Sequence, residues 1–202
     1  MNIILISGAS GVGTTSVASA ILKKKDLLYL VGTDAIRESA RQIILPSVNP
    51  YLHKSSYLAG KSEKYECKPE DIKKEKIVRG LKIQSSVVKV CIDGIINRYI
   101  KEGDSIIVEG VNLLPGDYNP LIENGLGKQV LLDIPNEELH LQRLKNRIKI
   151  HPQRVDRCLN NFMEIRLIRD YLLKKAIKNN IPIIDNSNNI ECTIENCLGI
   201  IG

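Results

Sequence analysis

The stretch GASGVGTTS, Gly8 to Ser16, follows the apolar run NIILIS at residues 2–7. It has the spacing of a phosphate-binding loop, G-x-x-x-x-G-K-[ST], with Gly8, Gly13 and Thr15 in register and Thr14 in the place of the lysine. Gly8, Gly11 and Gly13 let the backbone fold closely round phosphate oxygens, so that its N–H groups form a nest. The helical pattern TSVASAILKKK that follows adds its positive N-terminal end. A strand before the loop and a helix after it is the context that gives this motif its meaning. Gly8, Ser10, Gly11, Val12, Gly13, Thr14, Thr15 and Ser16 are therefore expected to hold ATP. Thr15 is expected to turn its hydroxyl to Mg²⁺, with Thr14 or Ser16 replacing it if the register slips.

A loop without lysine lacks a cation at the β- and γ-phosphates, and phosphoryl transfer depends on positioning and electrostatics. Another cation must take over. Arg143, Arg147, Arg154 and Arg157 surround the irregular stretch RIKIHPQR, and a guanidinium can grip a phosphate with two hydrogen bonds. Arg147 and Arg154 lie nearest the turn at Pro152 and are the preferred catalytic pair.

Outward from the loop, short apolar runs alternate with helical patterns: residues 2–7, 27–33, 104–110, 129–135 and 182–186 read as strands. They are almost wholly aliphatic, as strands covered on both faces are. The expected fold is a single α/β domain over residues 1–202, a three-layer sandwich whose parallel sheet is flanked by helices. About seventy residues separate the second and third runs, more than a crossover helix needs, so an insertion over about 45–100 is expected to serve acceptor binding. Its first part is turn-rich, with Pro46, Pro50, Gly60 and Pro69. After Pro69 the pattern is one long helix or two abutting ones, with Ile77, Leu81, Val88 and Ile92 on one face and Gly103 as the stop. A lid is expected at 143–157, between a helix beginning near Asn136 and another covering roughly Asp156 to Lys178.

Ligands in open parallel sheets sit beyond the carboxyl ends of the strands, where Asp34 and Glu109 fall. Asp34 can be a helix N-cap, but Arg37 and Arg41 follow it on the same helical face, which suits an acceptor with a hydroxyl and an anionic group. Asp34 then positions or deprotonates the hydroxyl and Arg37 holds the anion. Glu109 has the position of an acid that holds Mg²⁺, or it is the base with Asp34 orienting.

The chain of 202 residues carries a formal charge of +6, yet its lysines are scattered and no aromatic-rich basic strand accompanies them, which speaks against a nucleic-acid partner. No apolar run reaches the ~20 residues needed to cross a bilayer, and nothing before the first strand reads as a signal peptide, so a cytoplasmic protein without a membrane partner is expected. Its five cysteines are odd in number and lack a C-x-x-C pair, which points to free thiols. Oligomeric state is not legible.

GASGVGTTS, VGTDAIRE, LHKSSYLAG and IIVEGVNLLPG together resemble the archaeal 2-phosphoglycerate kinase family of P-loop kinases, over residues 3 to about 186. The resemblance implies ATP- and Mg²⁺-dependent transfer to the hydroxyl of a small phosphorylated hydroxy acid. It places Arg37, Arg41, His53, Ser55, Ser56 and Tyr57 at the acceptor. It also implies main-chain contacts to adenine from NIPIIDNSN. Asn112 departs from the family's EGVHLVPG, where histidine is expected. The chain is most like the compact mevalonate 3-phosphate 5-kinases, which lack the extra N-terminal domain of many 2-phosphoglycerate kinases. On that architecture mevalonate 3-phosphate is the expected acceptor and 2-phosphoglycerate the alternative. Leu52, Leu58, Val111, Leu113 and Leu114 are candidates for contacts to the longer carbon chain. A nucleotide-binding switch without phosphotransfer is the reading of another class.

Overall fold

The computed structural model describes residues 3–62, 70–146 and 152–202, except the side chains of 70–72 and 154. The five expected strands form one sheet: β1 Ile3–Ser7, β2 Tyr29–Gly32, β3 Ile106–Gly110, β4 Gly127–Asp133 and β5 Ile183–Asp185. All neighbours are parallel, in the order β2-β3-β1-β4-β5. Every residue of β1 is buried. Ile4 and Ile6 join a cluster with Val17, Ala18 and Ile21 of α1 (Thr14–Lys24). Ile3 and Leu5 join another, with Ile36 of α2 (Thr33–Ile43) and Val88 and Ile92 of α3 (Glu70–Glu102). Alternation along a strand thus sends consecutive aliphatic residues to opposite layers, which is why the runs carry no polar phase.

The order of strands matters for the site. From β1 the chain passes over β3 to reach β2, and from β3 it passes over β1 to reach β4, so the crossovers diverge beside β1. Register brings Ile6, Glu109 and Gly32 into one row, and the loops that follow open side by side.

The long pattern after Pro69 is a single helix, α3, with Ile77, Leu81, Val88 and Ile92 buried and Gly103 in the left-handed region at φ 75°. The turn-rich part of the insertion forms 3-10 turns at Pro50–His53 and Ser56–Ser62. The second lies directly on α3: a Cβ on Gly60 would come 2.3 Å from the Lys76 carbonyl oxygen, and one on Gly80 2.1 Å from the Gly60 nitrogen. Two glycines let the backbones touch, and this contact fixes where Ser55, Ser56 and Tyr57 stand.

After β3 come α4 (Asn119–Glu123) and, beyond β4, α5 (Glu137–Lys145), which Asn136 caps by accepting from the Leu139 N–H at 2.8 Å. The helix expected over Asp156–Lys178 is two, α6 (Pro152–Leu159) and α7 (Phe162–Lys178). Asn161 makes the break, donating from Nδ2 to the Arg157 carbonyl at 2.8 Å while its Oδ1 accepts from Lys61 at 2.8 Å. Helix α8 (Ile190–Ile201) closes the chain. Part of the expected lid, residues 147–151, lies outside the described residues. Among the described residues no helix is long and apolar enough to cross a membrane, and Cys91, Cys158, Cys192 and Cys197 are free thiols.

Candidate active site

Gly11 and Gly13 have φ of 94° and 98°, the left-handed region that only glycine enters without strain. Gly13 caps α1 without a side-chain hydrogen bond, and no acidic residue occupies the first turn. The first N–H groups of α1 thus remain available to an anion, where the helix dipole favours negative charge. Gly8, Ser10, Gly11, Gly13, Thr14 and Thr15 line a cleft at the end of β1. Val12 and Ser16 do not: the Val12 side chain is buried in the core and Ser16 faces solvent.

The opposite wall of this cleft is Thr33, Asp34, Glu109, Gly110 and Val111. Glu109 accepts a hydrogen bond from Thr15 Oγ1 at 3.1 Å, and a Cβ on Gly32 would lie 2.9 Å from its Oε1, so glycine there leaves room for the carboxylate. Thr33 Oγ1 is buried on the same wall and has no hydrogen-bond partner among the described residues. Hydroxyl and carboxylate oxygens converging here fit a hard cation. Among the described residues no three His, Cys, Asp or Glu side chains gather into a metal cage.

Asp34 lies inside the first turn of α2, and Gly32 is the cap. The capping reading of Asp34 is thereby corrected. Its side chain, 54% exposed, is 3.8 Å from Arg37 Nη2.

A second cavity of about 240 Å³ adjoins the first. Arg37, Ser55, Ser56 and Tyr57 line it, joined by Glu38, Arg157 and Cys158. Ser10 and Asp34 line both cavities. The volume lies below the range of drug-sized pockets and suits a small metabolite. Tyr57 is 3.6 Å from Cys158 Sγ, and burial pushes its hydroxyl up to about 12, so it remains a protonated phenol.

Other expected site residues are placed elsewhere. Arg41 pairs with Glu38 and His53 Nε2 bonds the Ile44 carbonyl at 2.8 Å, so neither lines the cavity. Leu52, Leu113 and Leu114 are buried core and Leu58 packs against it; of the five apolar candidates only Val111 reaches a cavity wall, and that is the nucleotide side. Arg147 and the side chain of Arg154 fall outside the described residues. Arg143 donates to the Ser187 and Asn188 carbonyls, both at 3.1 Å. Asn112 is buried and accepts from Ser85 at 2.9 Å.

The AAA domain model matches residues 4–160. The chain belongs to that family. It is similar to 2-phosphoglycerate kinases, at 36% identity to that of Methanocaldococcus jannaschii over 200 residues, covering 98% of this chain and 62% of the relative. Identity is also 36% to that of Methanopyrus kandleri over 202 residues, covering 98% of this chain and 60% of the relative. The chain therefore spans about three fifths of the length of these relatives. Shikimate kinase from Bacteroides thetaiotaomicron shares the fold at a TM-score of 0.51 and 15% identity, covering 98% of this chain and 97% of that one.

Two braces under the loop escaped the sequence reading. Asn186, at the end of β5, donates from Nδ2 to the Val12 carbonyl at 2.8 Å, accepts from Thr193 at 2.8 Å and bonds the Asp133 carbonyl through its own N–H at 2.8 Å. His140, on α5 and wholly buried, bonds the Ser10 carbonyl through Nε2 at 2.9 Å. A carbonyl only accepts, so Nε2 carries the proton and Nδ1 faces Arg166 Nη1 at 3.5 Å. Burial holds the imidazole below its ordinary pKa, with Arg166 adding to the effect. Asp133, an acid at the end of β4, is paired with Arg169. Only an asparagine just past a strand end could have hinted at Asn186; His140 left no local sign.

Proposed function

We propose that this chain transfers the γ-phosphoryl group of ATP to the hydroxyl of a small phosphorylated hydroxy acid, with 2-phosphoglycerate as the favoured acceptor. The observation that carries the reading is that Ser10 and Asp34 form the shared wall of the phosphate-loop cleft and the charged cavity next to it. An acid at the junction of a donor site and an acceptor site is where a hydroxyl must be oriented for in-line attack.

In this reading the loop amides and the start of α1 hold the triphosphate. Asp34 orients the acceptor hydroxyl and takes its proton as the oxygen attacks the γ-phosphorus. Glu109, bonded to Thr15 on the nucleotide side, is the metal-side acid. Thr15 and Glu109 would hold Mg²⁺, which when bound neutralises phosphate charge. Arg157, exposed on α6 and lining the acceptor cavity, is placed to hold an anion of the acceptor. The expected catalytic arginines, Arg147 and Arg154, remain the candidates to replace the missing lysine.

Architecture alone points to mevalonate 3-phosphate as the acceptor. The names of the similar kinases favour 2-phosphoglycerate, and the leucines expected to line a longer carbon chain are core residues. The test is incubation with ATP, Mg²⁺ and each acceptor in turn while ADP is followed. ADP release driven by 2-phosphoglycerate is expected. Tight ATP binding without acceptor-dependent ADP release would overturn the proposal in favour of a nucleotide-binding switch.

A further inference from the structure

The Arg37 guanidinium is already occupied. Nη1 donates to the Lys54 carbonyl at 2.7 Å and Nη2 to Glu38 Oε1 at 2.8 Å, while Nε is buried without a partner among the described residues. A substrate anion meets no open fork on this arginine. The other Glu38 oxygen, Oε2, is paired with Arg41. One carboxylate thus bridges two guanidinium groups at the edge of the acceptor cavity.

We propose that Glu38 is a resident stand-in for the acceptor carboxylate, and that the acceptor binds by displacing it from Arg37 and Arg41. The inference rests on the reading of this cavity as the acceptor site. It follows from which partner can move. Arg37 is 8% exposed, and the carbonyl that anchors it is also gripped by Gln84 at 2.9 Å, which bonds the Tyr51 carbonyl at 2.7 Å. Arg37 stays where it is. The Glu38 side chain is 43% exposed, and among the described residues its partners are these two guanidinium groups. An incoming carboxylate offers the same two oxygens and exchanges one ion pair for another of the same chemistry.

The exchange orients the acceptor. Its carboxylate lies against Arg37 and Arg41, its phosphate toward Arg157 and Ser55, and its hydroxyl at Asp34. It also makes Glu38 a selectivity element, because an anion without a carboxylate lacks the planar pair of oxygens that replaces it. Arg41, off the cavity wall while paired with Glu38, becomes an acceptor ligand once that pair opens.

Calorimetric titration of 2-phosphoglycerate and of glycerol 2-phosphate, which has no carboxylate, into the full chain and its Glu38→Gln and Glu38→Ala variants tests this without turnover. Both variants are expected to bind 2-phosphoglycerate about five- to tenfold more tightly than the unsubstituted chain, and glycerol 2-phosphate within about twofold of it. Binding of 2-phosphoglycerate by the unsubstituted chain with no gain in the variants overturns the exchange and leaves the acceptor reading standing. An equal gain for both ligands also overturns it, since removal of a nearby negative charge then suffices. No binding of 2-phosphoglycerate by any of the three proteins removes the acceptor reading and the exchange together.

Discussion

The loop from Gly8 to Thr15 lines its cleft with three glycines, Gly8, Gly11 and Gly13, which offer only main-chain groups, whereas the cavity next to it is lined by residues with side chains on α2, on the turn at Ser56 and on α6. The loop is braced from beneath by Asn186 and His140, both buried. The cavity has the exposed charges of Asp34 and Arg157 and the half-buried charge of Glu38 on its rim. A backbone nest can recognise any phosphate and must be rigid to do so. Discrimination among small acids needs charges whose partners can change. The two regions meet at Asp34, and substitutions can separate them.

The largest effect is expected at that junction: Asp34→Asn should lower turnover by about 10²–10⁴-fold with little change in the affinity for an ATP analogue. Steady-state kinetics and analogue titration check it, and normal turnover would exclude Asp34 as the base. Next, Arg157→Ala should raise the acceptor KM by about 10- to 100-fold and leave the ATP KM nearly unchanged, if the arginine belongs to the cavity and not to the nucleotide. A rise in both constants would move Arg157 to the phosphates of ATP. On the loop side, Gly13→Ala imposes φ of 98° on a side chain and brings its Cβ to 2.7 Å from Asn186 Nδ2. It should weaken nucleotide binding and lower stability by about 1–3 kcal/mol, read by titration and thermal unfolding.

His140 gives the loop a pH dependence. Its pKa is lowered by burial in the folded chain, so the unfolded chain binds the proton more readily. Stability from this residue is present above the ordinary histidine pKa of about 6.5 and is lost as pH falls through the lower folded value. Thermal unfolding from pH 8 to 5 should show this loss, and His140→Gln should flatten it. The smallest effect belongs far from both regions. Lys24→Ala, which removes an exposed pair with Glu195, should change stability by less than about 1 kcal/mol.

These contrasts explain what could be read in advance. All five strands, the loop and the long helix α3 are local patterns, set by aliphatic runs, glycine spacing and helical periodicity, and each was legible. Asp34 and Glu109 were legible because a strand's carboxyl end is where a parallel sheet opens its cleft. Other side chains are placed by partners that no local pattern announces. His53 turns to the Ile44 carbonyl, Arg41 to Glu38, and the helix expected over Asp156–Lys178 is broken by the two-sided bonding of Asn161. Glu38 gave no sign at all, since an acid between two arginines on a helix looks like an ordinary surface pair.

By itself the sequence determined the parallel sheet, the phosphate loop and the acids at its rim. Burial of aliphatic runs and the backbone freedom of glycine act within a few residues and are written in order along the chain. Only the tertiary structure decided which arginine faces the acceptor cavity, which carboxylate already occupies it, and what holds the loop from below. Those contacts join residues up to 174 positions apart, such as Val12 and Asn186, and they exist only once the strand order has brought them together.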